Sequence, residues 1–157
     1  MIEFRPAKET DLEQLNELMF QLHHEHHLQA PDSFKTAEEI EQEKSIARYL
    51  DDPECLVFVA TVQDKIIAFV TGHFCELIST VSKPVQMGSI DELYVIPEFR
   101  QQKVAQRLYQ VLETRLAEYG VKQVFVEVWH FNRGACDFYS DSGFEHHIHW
   151  LRKKLEQ

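Results

Sequence analysis

The sequence predicts an α+β fold on a mixed sheet, and three patterns carry that prediction. Two apolar runs of strand length, Cys55 to Val62 and Lys65 to about Cys75, meet across a two-residue gap, the mark of an antiparallel hairpin. Helix-capping signals stand ahead of that hairpin rather than between its strands. After residue 90, strands and helices alternate, so β-α-β crossings with parallel pairing take over. The expected order is β-α-α-β-β-β-α-β-α-β in one domain over residues 1–157, with no internal repeat or second linker.

Ile2, Phe4 and Pro6 alternate with Glu3 and Arg5 as a short opening strand. Thr10-Asp-Leu-Glu13 reads as a capping box for a first helix whose face is Leu12, Leu15, Leu18, Met19 and Leu22. Thr36-Ala-Glu-Glu39 repeats that signal for a second helix, buried through Ile40, Ala47 and Leu50 and closed before Asp51-Asp-Pro53. Gln63-Asp64 is the hairpin turn, without the favoured glycine. Glu76 to Gln86 reads as a loop or ragged connection. Ile90, Leu93, Val95 and Ile96 suit a largely buried strand that Pro97 ends, since proline has no N–H to give a ladder. Val104, Leu108, Val111, Leu112, Leu116 and Tyr119 then recur at helical spacing. Val121 to Trp129 is a further strand, Asn132 to Ser140 a short helix punctuated by Gly143, and Phe144 to Leu151 a last strand.

Charge and composition exclude several classes. With 16 basic and 26 acidic residues the formal net charge is −10, which argues against nucleic acid as a partner. No apolar run reaches bilayer-spanning length, and Met1-Ile-Glu-Phe-Arg-Pro carries no signal-peptide pattern. Cys55, Cys75 and Cys136 are odd in number and far apart, so no disulfide framework is expected and a reduced, cytoplasmic setting fits.

Against this acidic background, Pro97-Glu-Phe-Arg-Gln-Gln-Lys-Val-Ala-Gln-Arg-Leu-Tyr109 concentrates positive charge in Arg100, Lys103 and Arg107. A strand feeding a tight turn into a helix start leaves free backbone N–H groups at the positive end of the helix dipole, which is a binding site for phosphate. The segment Arg100-Gln-Gln-Lys-Val-Ala105 resembles the acyl-CoA motif Arg/Gln-x-x-Gly-x-Gly/Ala of the GCN5-related N-acetyltransferases (GNAT). Ile90-Asp-Glu-Leu-Tyr-Val95 is similar to the family's strand whose backbone pairs with the pantetheine arm. Trp129-His-Phe-Asn-Arg-Gly-Ala-Cys-Asp-Phe-Tyr-Ser-Asp-Ser-Gly-Phe144 is similar to its Asn-x-x-Ala-x-x-Phe-Tyr-x-x-x-Gly-Phe segment.

That resemblance implies a central, mostly antiparallel twisted sheet flanked by helices, with acetyl-CoA as co-substrate and no metal. It implies contacts to the cofactor from Leu93, Tyr94, Val95, from Arg100, Gln101, Gln102, Lys103, Val104, Ala105 and Gln106, and from Asn132 and Tyr139. One departure stands out: Lys103 occupies the family's glycine position. It reaches positive φ only with strain, although its ammonium can pair with a phosphate.

The chemistry implied is direct attack of a primary amine on the thioester. The enzyme must align the two, stabilise the oxyanion and handle two protons. An amine of lysine type has a pKa of about 10.4 and arrives protonated. Glu92 is the preferred base and Asp91 the alternative; strand alternation points them to opposite faces, and a bulge would change which one meets the acceptor. Tyr139 stands where the family places a tyrosine near the CoA sulfur, which makes it the expected general acid. Asn132 also suits a helix N-cap. His23 and His27, an i,i+4 pair in His23-His24-Glu25-His26-His27, are read as exposed imidazoles on a fraying helix end rather than metal ligands. His146, His147 and His149 are read as surface or interface groups, and Cys136 as a packed thiol.

Glu25, Asp32, Glu38, Glu39, Glu41, Glu43 and Glu76 would rim the acceptor side and favour a cationic amine. Two alternatives accompany this reading: a CoA-binding regulatory or interaction module, and transfer of a different acyl group. Phe125, Trp129 and Trp150 on late strands suggest a homodimer.

Overall fold

The computed structural model describes residues 1–156, which form two compact units, Met1–Val126 and a second beginning at Glu127. In the first unit the elements are β1 (Glu3–Pro6), α1 (Leu12–Gln29), α2 (Ala37–Glu43), α3 (Ile46–Asp51), β2 (Cys55–Val62), β3 (Lys65–Leu77), β4 (Val85–Val95), α4 (Val104–Glu118) and β5 (Gln123–Val126). The sheet runs β1-β2-β3-β4-β5, antiparallel up to β4 and parallel between β4 and β5. It is the mixed, mostly antiparallel α+β sheet that the sequence predicts.

Local chemistry sets these boundaries. Gln63 and Asp64 both hold positive φ, 49° and 68°, and join β2 to β3 as a two-residue turn of the mirror-image kind that matches strand twist. The Thr36–Glu39 capping box forms, with the Thr36 hydroxyl accepting from the Glu39 amide at 3.2 Å. The Thr10–Glu13 box does not. Instead the Asp11 carboxylate accepts from the Lys8 amide at 2.9 Å and from the Arg5 guanidinium at 2.7 and 2.9 Å, which fastens the entry of α1 to β1. The single helix expected after Thr36 is two: Lys44 ends α2, and the Ser45 hydroxyl accepts from the Ala47 amide at 3.2 Å to start α3. The β3–β4 hairpin is longer than predicted, because β3 continues to Leu77 and β4 begins at Val85.

Each face of the sheet has its own cover. Val104, Leu108, Leu112 and Leu116 of α4 are buried, and an added Cβ would lie 3.2 Å from Leu112 at Gly72 and 2.8 Å from Leu116 at Gly88. These glycines let α4 lie close on the sheet. The opposite face receives α1 through Leu15, Leu18, Met19 and Leu22, with α2 and α3 beside it. Among the described residues no helix is long and apolar enough to cross a membrane.

In the second unit, α5 (Arg133–Asp141) is capped by Asn132, whose side-chain oxygen accepts from the Ala135 amide at 3.1 Å. It closes through Gly143 at φ 97° and a Phe144 N–H to Tyr139 carbonyl bond of 3.0 Å. Two expectations are corrected here. The strand predicted over Val121–Trp129 is only Gln123–Val126, and Phe144–Leu151 is not a strand. The latter has strand-like alternation, but no neighbouring strand among the described residues supplies a ladder, and Ile148 and Trp150 stay 78% and 92% exposed. The order is therefore β-α-α-α-β-β-β-α-β-α.

Candidate active site

Between β4 and α4 the chain makes a short 3-10 turn, Pro97–Phe99, and then enters the left-handed region twice, at Gln101 (φ 63°) and Lys103 (φ 62°). Lys103 thus takes up the conformation for which a glycine is favoured. The first helical bond of α4 runs from the Arg107 amide to the Lys103 carbonyl at 3.1 Å. The amides of Gln101, Gln102, Lys103, Val104, Ala105 and Gln106 have no acceptor among the described residues. Six adjacent donors at a helix start are the kind of group that attracts an anion. Arg100 is turned away from that role. Its Nε donates to the Val95 carbonyl at 2.8 Å, its Nη2 lies 3.1 Å from both Glu25 carboxylate oxygens, and its guanidinium covers the Tyr94 ring. Arg107 rests over the Phe4 ring. Lys103 is exposed and is the cation left to face an anion at the turn.

Alongside, β4 loses one neighbour. It pairs with β5 only from Met87 to Ile90, yet with β3 as far as Val95. From Asp91 onward no strand among the described residues pairs with that edge. The Glu92 amide donates to Thr71 Oγ1 at 2.9 Å and the Ile96 amide to the Ile67 carbonyl at 2.9 Å, both toward β3. Strand alternation then turns the backbone groups of Leu93 and Val95 to the open side.

A bulge reorders the carboxylates. Ile90 sits opposite Gly72 and Glu92 opposite Thr71, so Asp91 is the extra residue of β4. The alternation expected to separate Asp91 from Glu92 is interrupted, and both carboxylates lie on the face covered by α1–α3. Glu92 is buried, accepts from the Thr71 hydroxyl and pairs with the Lys44 ammonium, from the α2–α3 junction. Asp91 takes three donors: Ser89 Oγ at 2.9 Å, the Tyr49 hydroxyl at 2.9 Å and His73 Nδ1 at 2.7 Å. Burial, then the charges of Glu92 and Asp91, push the Tyr49 phenol far up, so it stays a donor. Lys44, Tyr49, Thr71 and His73 went unnoticed in the sequence. A polar residue inside an apolar strand was the available signal for His73, but only the register brings it to Asp91.

Tyr139, on α5, is buried, and burial pushes its phenol up to about 12. It is therefore protonated at neutral pH. Its ring stands edge-on to Phe138 and Phe144. The Cys55 thiol is likewise pushed up by burial, to about 11, and all three cysteines are free. The histidine stretch lies on an intact helix rather than a frayed end. Only His24 in it is exposed; His27 Nδ1 contacts the Phe34 carbonyl at 2.9 Å, and burial lowers both His23 and His26. Among the described residues no group of three or more His, Cys, Asp or Glu is arranged to hold a metal ion.

Open amides at a helix start, beside a strand with one free edge, suit a ligand that carries a phosphate and also pairs with backbone. Comparison with known proteins makes the class specific. The model of the acetyltransferase (GNAT) family matches residues 16–144, and the chain belongs to that family, whose members are acyl-CoA-dependent N-acetyltransferases. An acetyltransferase from Vibrio fischeri, known from its crystal structure, is 58% identical with a TM-score of 0.69, over 81% of this chain and 96% of that one. A mutant of the BH1408 protein from Bacillus halodurans shares the fold at 19% identity and a TM-score of 0.87, over 98% of this chain and 99% of that one. An aminoglycoside N-acetyltransferase in complex with CoA does so at 18% identity and 0.75, over 99% and 96%. None of the curated proteins matches.

Proposed function

We propose that the chain, as one domain over residues 1–157, transfers the acetyl group of acetyl-CoA to a primary amine by direct attack in a ternary complex. The observation that carries this reading is the run of amides from Gln101 to Gln106 at the start of α4 that are unpaired among the described residues. These amides bind the cofactor phosphates, and the ammonium of Lys103 adds charge from a residue already in the required left-handed conformation. The open edge at Leu93 and at the Val95 N–H holds the pantetheine amides as an added strand would; the Val95 carbonyl already accepts from Arg100. Arg100 serves through its ties to Val95 and Glu25, which brace the turn. Tyr139 gives its proton to the departing thiolate.

The acceptor is cationic. Glu25, Glu39 and Glu43 are engaged with Arg100, Thr36 and Lys35, but Asp32, Glu38 and Glu41 are exposed around α2 and add to a negative approach. Glu92, paired with Lys44 and holding Thr71, fixes the bulge beside Asp91. The protein acts in the cytoplasm as a homodimer, and light scattering should report twice the 18.5 kDa chain; a monomer at micromolar concentration would dispose of the dimer.

Calorimetry with acetyl-CoA tests the cofactor site, and a panel of primary amines read by free-thiol release tests the reaction. Binding with 1:1 stoichiometry and amine-dependent thiol release are expected. A folded protein that binds neither acetyl-CoA nor CoA would remove the reading.

A further inference from the structure

We infer that His73 is the base of this enzyme, held in its working tautomer by Asp91. The inference rests on the acetyl-transfer reading and supplies the proton acceptor that reading lacks. Both carboxylates near the bulge are already occupied. Glu92 accepts from Lys44 and Thr71, and Asp91 carries three donors on two oxygens. An ionised carboxylate only accepts hydrogen bonds, so the His73 nitrogen 2.7 Å from Asp91, Nδ1, is the one that carries the proton. The neutral ring then keeps its lone pair on Nε2, which has no partner among the described residues. The His73 side chain is 38% exposed, whereas that of Asp91 is 17% exposed, so the imidazole is the accessible end of the pair. A fixed tautomer, an anchoring acid and an open basic nitrogen are the logic of an oriented base.

The groups facing His73 are Cys55 across the ladder in β2, Ser89 and Asp91 in β4, and Tyr49 in α3. Cys55 and Tyr49 stay protonated, so Asp91 is the charge that acts on the ring, with Glu92 behind it neutralised by Lys44. The acceptor ammonium gives one proton to His73 Nε2, and the freed lone pair attacks the thioester carbon. The C–N bond forms, the C–S bond breaks with its electron pair on sulfur, and the thiolate takes the Tyr139 proton. The second proton on nitrogen and that of the imidazolium pass to solvent, and solvent returns one to the phenol. Asp91 is a positioning residue; His73 is the catalytic one.

The test uses the full chain and His73→Asn, whose side-chain amide can still donate to Asp91 but accepts no proton of this kind. Long-range proton–nitrogen NMR on the wild type should show neutral His73 protonated at Nδ1. In the variant, acetyl-CoA affinity should hold within about twofold, and kcat should fall by roughly 10²–10⁴-fold. The ascending limb of the kcat/KM–pH profile should disappear, and added imidazole should restore part of the rate. His73 protonated at Nε2, or a folded His73→Asn enzyme with the wild-type kcat and pH limb, would overturn the inference alone. A wild-type protein that binds acetyl-CoA and acetylates no amine would overturn it together with the amine-transfer reading.

Discussion

Lys103 carries a full side chain at φ 62°, a conformation that costs an L residue roughly 1–2 kcal/mol relative to the right-handed helix. Its side chain is exposed and makes no ion pair among the described residues, so nothing there offsets the cost. Lys103→Gly should therefore stabilise the fold by about 1 kcal/mol, read from urea unfolding. The same variant reports on the cofactor. Loss of acetyl-CoA affinity, with a flatter salt dependence, would show that the ammonium meets a phosphate; unchanged affinity would show that backbone alone does the binding. Tyr139 offers the complementary case, a buried phenol pushed up to about 12 and so still protonated at neutral pH. Tyr139→Phe removes only the hydroxyl. Turnover should fall about 10²–10⁴-fold, in kcat more than in KM, while calorimetric acetyl-CoA binding holds. Wild-type turnover across the pH range would leave Tyr139 a packing residue.

At the scale of elements, the close approach of α4 to β3 rests on Gly72. An added Cβ there would stand 2.6 Å from the Ser89 carbonyl oxygen, which belongs to a ladder and cannot withdraw freely. Gly72→Ala should destabilise the protein by roughly 1–3 kcal/mol, measured by thermal or urea unfolding, and an unchanged midpoint would show that β3 and β4 can separate there. Elements whose instructions are local were legible in the sequence: the Thr36 box, the Gln63-Asp64 turn and the apolar stripe of α4 all stand as predicted. The break between α2 and α3 escaped the sequence reading, because a continuing apolar pattern concealed the Ser45 cap. The strand expected at Phe144–Leu151 failed for another reason, because alternation describes a strand's faces and says nothing about a partner for its edges. The site divides in the same way. Its anion turn follows from sequence order, whereas Asp91, His73 and Tyr49 come from three elements whose meeting depends on register.

For the whole molecule, the consequence most open to measurement is acid stability. His23 packs among Asn16, Met19, Phe20 and Ile46, and its Nε2 is buried without a hydrogen-bond partner among the described residues. Burial, then the charges of Lys44 and His26, lower it from 6.5 to about 4. In the unfolded chain the same ring takes its proton near pH 6.5, so between pH 6.5 and about 4 the unfolded state binds more protons. Stability should fall as pH drops through that window. His23→Leu should flatten the fall, seen as a smaller change of Tm with pH; His26, lowered in the same direction, keeps part of it. An equal slope in both proteins would mean that His23 is wet in solution.

The Asp91 bulge has a further consequence, for insertion and deletion. Because Ile90 faces Gly72 and Glu92 faces Thr71, Asp91 is supernumerary to the β3–β4 ladder. Excising it would leave every other rung with its present partner and Glu92 on its present face. The shortened chain would be a sheet without a bend in β4, and His73 would lose its anchor while the surrounding fold kept its register. Chemistry and architecture here are separable by a single codon.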